Sequence, residues 1–85
     1  MKKYAGIIID QAHPSIDRIF HYSIPEKIAD KIGIGYRVVV PFGRYNSRVE
    51  GYVMQLDEVI QVPLDKIKPI YRVLDTSPAI LPQNI

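Results

Sequence analysis

Five segments of the chain carry the hydrophobic pattern of β-strands, and stretches rich in polar residues, glycine and proline separate them. Residues 4–10, Y-A-G-I-I-I-D, are apolar without alternation up to Asp10, which is typical of a strand buried on both faces. Residues 19–24 alternate, and Phe20, Tyr22 and Ile24 fall on the side predicted to face the core. The other three segments are residues 35–41, 49–56 and 67–74.

The stretch from residue 35 to residue 44 is the centre of this pattern. Its three consecutive valines favour an extended backbone, because branching at Cβ makes χ1 stiff. Pro41 has no amide hydrogen to give to a strand ladder, so we expect the strand to end near it. Phe42, Gly43 and Arg44 then lie at a strand end, where an aromatic ring, an accessible backbone and a cation can meet a ligand together. This strand end is the first candidate functional site.

The connections between the strands also have recognisable signals. Residues 25–32 begin with proline and carry apolar residues at helical spacing, which predicts one or two turns of helix. Residues 44–48 form a polar turn in which Asn46 can take a positive φ, so the strands on either side of it are predicted to form a hairpin. Pro69 marks the segment 67–74 as an edge strand or an irregular one.

These elements predict a fold class. Five short strands with at most one short helix favour a small, partly closed β-barrel. We expect this single domain to occupy residues 1–75. Residues 76–85 contain two prolines and no hydrophobic period, and we expect them to be a tail that leads to further domains.

Composition narrows the classes of protein that the chain can belong to. With 85 residues, 47% hydrophobic and 24% charged, it is predicted to fold as one globular domain. The absence of cysteine excludes disulfides and thiolate metal sites, and no apolar run reaches the ~20 residues of a membrane span, so a cytoplasmic location is expected. The net charge is only +2, so any affinity for nucleic acid depends on where the cations lie.

Catalysis has little support in the sequence. His13, Ser15 and Asp17 share a predicted loop at residues 11–18, but no signal for an oxyanion site accompanies them. Asp10, His13 and Asp17 match no known spacing of metal ligands. The phosphate-binding motif G-x-x-x-x-G-K-[S/T] is absent. We therefore expect a noncatalytic chain that holds no metal or cofactor.

Three motifs follow one another along nearly the whole chain. They are R-x-F-x-Y-x-x-P at residues 18–25, G-x-R-V-x-V-P-F-G at residues 35–43 and L-x-x-I-K-P-I-x-x-V-L-D at residues 64–75. In combination they resemble the N-terminal domain of the primosomal protein N′ family, the bacterial replication-restart DNA helicases. The resemblance implies a module that binds the 3′ end of the nascent leading strand at a stalled fork. It also implies that ATP, magnesium and zinc act only in other domains of the parent protein, and that other primosome proteins are partners.

The resemblance implies a pocket for the 3′-terminal nucleotide at Phe20, His21, Gly43 and Lys68. An aromatic ring can pack on a base or sugar, a glycine backbone allows close approach, and a lysine can contact a phosphate. His21 stands where family members can carry an aspartate that accepts a hydrogen bond from the 3′ hydroxyl. Neutral imidazole can also accept that bond, but protonated imidazole cannot. Asp17 is a substitute acceptor by its position in the preceding loop.

A second candidate contact lies on the predicted hairpin turn. Arg44 and Arg48 flank Tyr45, an arrangement that suits the DNA backbone and a stacked base, although a solvated turn explains it equally well. Likewise, Phe20 can be a core residue and Lys68 a solvated one. The alternative function is therefore an SH3-like barrel that binds a protein. Salt separates the two functions, because binding to phosphates weakens steeply with added salt.

Overall fold

The computed structural model describes residues 2–10 and 18–80, which form six β-strands and two single turns of 3-10 helix. The strands are β1 (Tyr4–Ile9), β2 (Ile19–Ser23), β3 (Arg37–Phe42), β4 (Ser47–Asp57), β5 (Lys68–Pro69) and β6 (Arg72–Val73), and the helical turns are Glu26–Ile28 and Leu64–Lys66. The prediction of a mainly β protein is confirmed. Of the one or two turns of helix predicted at residues 25–32, a single 3-10 turn forms, at Glu26–Ile28.

The strands form one curled sheet in the order β5-β2-β1-β4-β3-β6. The two edge strands, β5 and β6, are separated in sequence only by Ile70 and Tyr71. The amide of Ile70 donates to the carbonyl of Ser23 on β2 at 3.0 Å, and the next amide, of Tyr71, donates to the carbonyl of Val39 on β3 at 2.8 Å. Because consecutive amides bind strands from opposite sides of the sheet, the sheet bends into the predicted partly closed barrel.

This closure explains why the structure has six strands where the sequence predicted five. The segment 67–74 was expected to be one strand, but it contributes β5 to one edge of the sheet and β6 to the other. Between them Ile70 is buried in the barrel, at 2% exposure. Pro69 lies on an edge strand as predicted, where its missing amide hydrogen breaks no ladder.

The core fills the inside of the curled sheet. Val38 and Val40 of β3 are fully buried, while Val39 between them faces outward, as the alternation of a strand requires. On β1, Ile8 is only partly buried, so the prediction that this strand is buried on both faces holds only in part. The buried hydrophobic residues of this core are Ala5, Ile7, Ile9, Tyr22, Ile24, Ile28, Val38, Val40, Val53 and Ile70.

Residues 75–80 run back along the barrel without forming a strand or helix. The amides of Ala79 and Ile80 both donate to the carbonyl of Gly35, at 2.9 and 3.3 Å. The hydroxyl of Tyr36 donates to the carbonyl of Thr76 at 3.1 Å. The path of the chain after the barrel is therefore set by the stretch just before β3. Within the described ranges, no helix is long and apolar enough to span a membrane.

Candidate nucleic-acid interface

A cleft of about 320 Å³ opens at one end of the barrel, where the start of β2 meets the end of β3. Four of the residues predicted to bind a 3′-terminal nucleotide line it, although they come from three separate parts of the sequence. The lining residues are Phe20, His21, Tyr22, Pro41, Phe42, Gly43, Lys66 and Lys68. The strand end that the sequence singled out first, at Phe42 and Gly43, forms one wall of this cleft.

Aromatic rings form the apolar part of the cleft. Phe20 and Phe42 meet edge to face, with ring centroids 5.0 Å apart and planes at 83°. The guanidinium carbon of Arg18 lies 4.5 Å from the centroid of Phe20. Phe20 is half-buried and also packs against the core. Phe20 therefore supports the barrel and also lines the cleft.

The polar part of the cleft is cationic. Lys66 ends the second helical turn and Lys68 begins β5, so both approach from the segment that closes the barrel. The ammonium of Lys68 donates to the side-chain carbonyl of Asn46 on the turn between β3 and β4. His21, on β2, lines the same cleft. Among the described residues that line it, none carries a carboxylate, so the cleft favours an anionic ligand.

The turn between β3 and β4 depends on two residues with left-handed backbone. Gly43 has φ +80° and Asn46 has φ +53°, as the sequence predicted for Asn46. The amide of Asn46 donates to the carbonyl of Gly43 at 3.2 Å, which closes the turn. A Cβ at Gly43 would meet nothing within 4 Å. Glycine is therefore required here by its backbone angle, and the space beside it is open to a ligand.

The residues predicted to contact a DNA backbone lie on and beside this turn. Tyr45 is 83% exposed, and the guanidinium carbon of Arg44 is 5.8 Å from its ring centroid. Arg48 does not stack on Tyr45. Its guanidinium carbon lies 4.6 Å from the ring centroid of Tyr71 instead, which places Arg48 against the segment between β5 and β6.

A buried hydrogen bond holds the walls of the cleft together. Tyr22 on β2 donates its hydroxyl to the carbonyl of Pro41 on β3 at 2.8 Å, across the open side of the barrel. Burial raises the pKa of the Tyr22 phenol to about 12. The phenol therefore keeps its proton, and the bond its donor, throughout the neutral range.

Only Arg37 makes ion pairs within residues 2–10 and 18–80. Its guanidinium binds both carboxylate oxygens of Asp75, at 3.0 and 3.1 Å, and its backbone amide donates to the same carboxylate at 2.8 Å. These hydrogen bonds lower the pKa of Asp75 below its usual range. Glu50 also lies 3.8 Å from this guanidinium. Arg37 is thus a structural residue that ties β3 to the chain leaving the barrel.

Some predicted residues cannot be placed, and others were missed. Asp17 and the loop residues His13 and Ser15 lie outside the described residues. Within the described part of the chain, no three histidine, aspartate or glutamate side chains are grouped to hold a metal ion. Sequence reasoning missed Lys66 and Tyr71. Lys66 could have been found from its spacing, since it lies two positions before Lys68. Tyr71 could not, because its contact with Arg48 forms only when the barrel closes.

Comparison with known proteins agrees with this geometry. The family model described as the 3′ DNA-binding domain (3′BD) of PriA matches residues 6–85. The chain is also 32% identical over 77 residues to the replication restart protein PriA of Bacillus subtilis (strain 168), a match that covers 91% of this chain. It spans only 9% of the length of that relative. The chain belongs to the family of PriA 3′ DNA-binding domains.

Proposed function

We propose that the cleft binds the 3′-terminal nucleotide of a DNA strand. The observation that carries this proposal is that Phe20, His21, Gly43 and Lys68 line a single cleft, although they are far apart in sequence. Its cationic lining suits the phosphate of a nucleotide, and its aromatic walls suit the sugar or base. A cleft at the mouth of a small barrel is open on one side, so a strand end can enter it and the rest of the strand can leave.

Each residue has a distinct task in this proposal. Lys66 and Lys68 contact the last phosphate, and Phe20 packs against the sugar or base. The open backbone beside Gly43 lets the nucleotide approach closely. A ring nitrogen of His21 accepts a hydrogen bond from the 3′ hydroxyl. Asp17 remains the candidate substitute for His21 as the acceptor.

The backbone of the bound strand continues over the turn between β3 and β4. Arg44 and Arg48 supply charge there, and exposed Tyr45 supplies a ring on which a base can stack. Contacts of this kind do not depend on base identity, so they add affinity to a strand of any sequence that ends in the cleft and is long enough to reach the turn.

The biological target that fits this chemistry is the 3′ end of the nascent leading strand at a stalled or branched replication fork, in the cytoplasm. By holding that end, the domain orients the replication-restart helicase of which it is part. ATP hydrolysis, magnesium and zinc binding belong to other domains of that protein, and the domain itself is noncatalytic. Primosome proteins are proposed as further partners of the whole protein.

Fluorescence anisotropy with a short labelled DNA tests this proposal. Binding should be tighter to a 3′ hydroxyl end than to the same strand with a 3′ phosphate, because the added group occupies the place of the hydroxyl that His21 binds. Affinity should also fall steeply with added salt. Equal binding to both ends would leave a general phosphate-binding surface. Absence of DNA binding at low salt would favour the protein-binding barrel.

Lys68→Ala should weaken binding about 10- to 150-fold, the loss of a charged hydrogen bond of about 1.5–3 kcal/mol. Asn46→Gly is the matched control. It removes the residue to which Lys68 donates, keeps a residue that tolerates positive φ, and should leave affinity near that of the unmodified chain. Equal losses in the two variants would mean that Lys68 acts through the turn and does not contact DNA.

A further inference from the structure

Two arginines share the outer face of the barrel beside the cleft. Arg72 pairs with Val39 and Arg48 pairs with Pro41 in the antiparallel ladders of β3. Residues paired in this way lie on the same face of a sheet, and Val39 and Pro41 are two positions apart on one strand. Arg48 and Arg72 therefore project from one face, opposite to that of the buried valines.

Tyr71 completes this surface. Its amide is fixed on β3 by the hydrogen bond to Val39, and its ring lies under the guanidinium of Arg48. A guanidinium stacked on a ring is held in place, while the N–H groups at its edge stay free to bind the oxygens of a phosphate. We call Arg48, Tyr71 and Arg72 the outer patch.

Charge is unevenly distributed over this face. Arg37 lies at its far end and pairs with both Glu50 and Asp75. Neither Arg48 nor Arg72 forms an ion pair with any residue in the described ranges. The positive charge on this face therefore increases towards the turn between β3 and β4, which borders the cleft.

The outer patch is continuous with the cleft through one short segment. Lys68 lines the cleft, buried Ile70 anchors the segment, and Tyr71 and Arg72 follow on the outer face. Lys68 and Arg72 are four residues apart, so the chain between them spans at most about 13 Å. A DNA strand covers that distance in about four nucleotides or fewer, since its rise is at least ~3.4 Å per nucleotide.

We propose that the outer patch is a second DNA site, which binds the phosphodiester backbone of the strand within about four nucleotides of the 3′ end held in the cleft. This inference rests on the proposed function of the cleft and extends the backbone contact from the turn onto β4 and β6. Arg48 and Arg72 each bind a phosphate. Tyr71 keeps the guanidinium of Arg48 in place and offers its exposed edge to a sugar or base.

The test compares strands of different length. The double variant Arg48→Gln, Arg72→Gln should bind a dinucleotide with a 3′ hydroxyl as well as the unmodified chain does, since that ligand fills only the cleft. With an octanucleotide, its affinity should be lower, and the slope of log affinity against log salt should be shallower by about 1.4, or ~0.7 for each lost phosphate contact.

The matched control is Lys27→Gln, Lys31→Gln, which removes the same charge from exposed positions after the far end of β2. This control variant should leave the slope of log affinity against log salt unchanged for both the dinucleotide and the octanucleotide. An octanucleotide slope that is unchanged in the arginine variant would overturn the proposal, as would an equal loss for the dinucleotide. Arg72→Gln alone, on an exposed edge position, should reduce the slope by about 0.7 without disturbing the stacked pair.

The two proposals fail in different ways. If the unmodified chain does not distinguish a 3′ hydroxyl from a 3′ phosphate, the role of the cleft is wrong, whatever the outer patch does. If it does distinguish them but gains no affinity from the dinucleotide to the octanucleotide, the cleft is correct and the outer patch is not a DNA site.

Discussion

Two glycines with nearly the same φ angle should differ sharply in how much an added methyl group lowers the free energy of unfolding. Gly35 has φ +87° and Gly43 has φ +80°, both in the left-handed region. A Cβ at Gly43 would meet no atom within 4 Å, but a Cβ at Gly35 would overlap the carbonyl oxygen of Ile80. Alanine at either site therefore carries the same backbone strain, and only at Gly35 must the chain after the barrel also move.

The magnitudes follow from these surroundings. Left-handed backbone costs a residue with a Cβ about 1–2 kcal/mol, and the lower entropy of the unfolded chain returns about 0.4–1 kcal/mol. Gly43→Ala should therefore reduce the free energy of unfolding by about 1 kcal/mol. Gly35→Ala also breaks the hydrogen bonds from Ala79 and Ile80, worth about 0.5–1.5 kcal/mol each. Its total loss should be about 2–4 kcal/mol.

Equilibrium unfolding in urea measures both values. The free energy of unfolding should fall more for Gly35→Ala than for Gly43→Ala in the full chain. In a chain that ends at residue 75, where the overlapping carbonyl is gone, the two losses should be the same. Equal losses in the full chain would show that residues 76–80 do not pack on Gly35, and would refute the reasoning.

Three further predictions concern single polar side chains. Tyr22→Phe should cost about 1–2 kcal/mol, since Pro41 loses its donor. Because the pKa of Tyr22 is raised to about 12, the contribution of Tyr22 to stability is complete below pH ~10 and is lost as the pH rises towards 12. The difference in melting temperature between the unmodified chain and Tyr22→Phe should therefore become smaller between pH ~10 and 12. Asp75→Asn should lower the melting temperature at neutral pH. Because Arg37 lowers the pKa of Asp75, the difference in melting temperature between the unmodified chain and Asp75→Asn should disappear only in acid, when the carboxylate gains a proton. A difference in melting temperature that does not change with pH would contradict the ion pair. His21→Asp, which keeps an acceptor for the 3′ hydroxyl, should retain the preference for a 3′ hydroxyl over a 3′ phosphate in the anisotropy assay, whereas His21→Phe, which has no acceptor, should lose it.

Much of the fold could be predicted because strands leave local signals. The alternation in residues 19–24 identified the inward side of β2, and Tyr22 and Ile24 are buried there. The valines located β3, and the turn with Asn46 located the hairpin. The division of residues 67–74 into two edge strands has no such signal. It arises because the amides of Ile70 and its neighbour bind opposite edges of the sheet, which depends on the closed structure and not on any local preference.

The pattern of residues pointed to the strand end at Phe42 and Gly43, but the full set of residues in the candidate site was predictable only through the resemblance. Nothing in the pattern of hydrophobic residues brings Lys68 beside Phe20, since the parallel pairing of β5 with β2 is a long-range contact. Taken alone, Gly43 predicted a turn, which is correct but says nothing of a ligand. Tyr71 was missed for the same reason, because it joins the surface only after the barrel has closed, whereas Lys66 had a signal in its spacing from Lys68.

The segment from Lys68 to Arg72 links folding to binding. Ile70 closes the barrel, while its exposed neighbours supply a wall of the cleft and part of the outer patch. A change at Ile70 therefore alters stability and DNA binding together, and cannot reveal which residues touch DNA. Changes at Lys68 and Arg72 remove charge from exposed positions and leave the two closing hydrogen bonds in place. A loss of affinity in these variants, without a loss of stability, is thus evidence for direct contact with the strand.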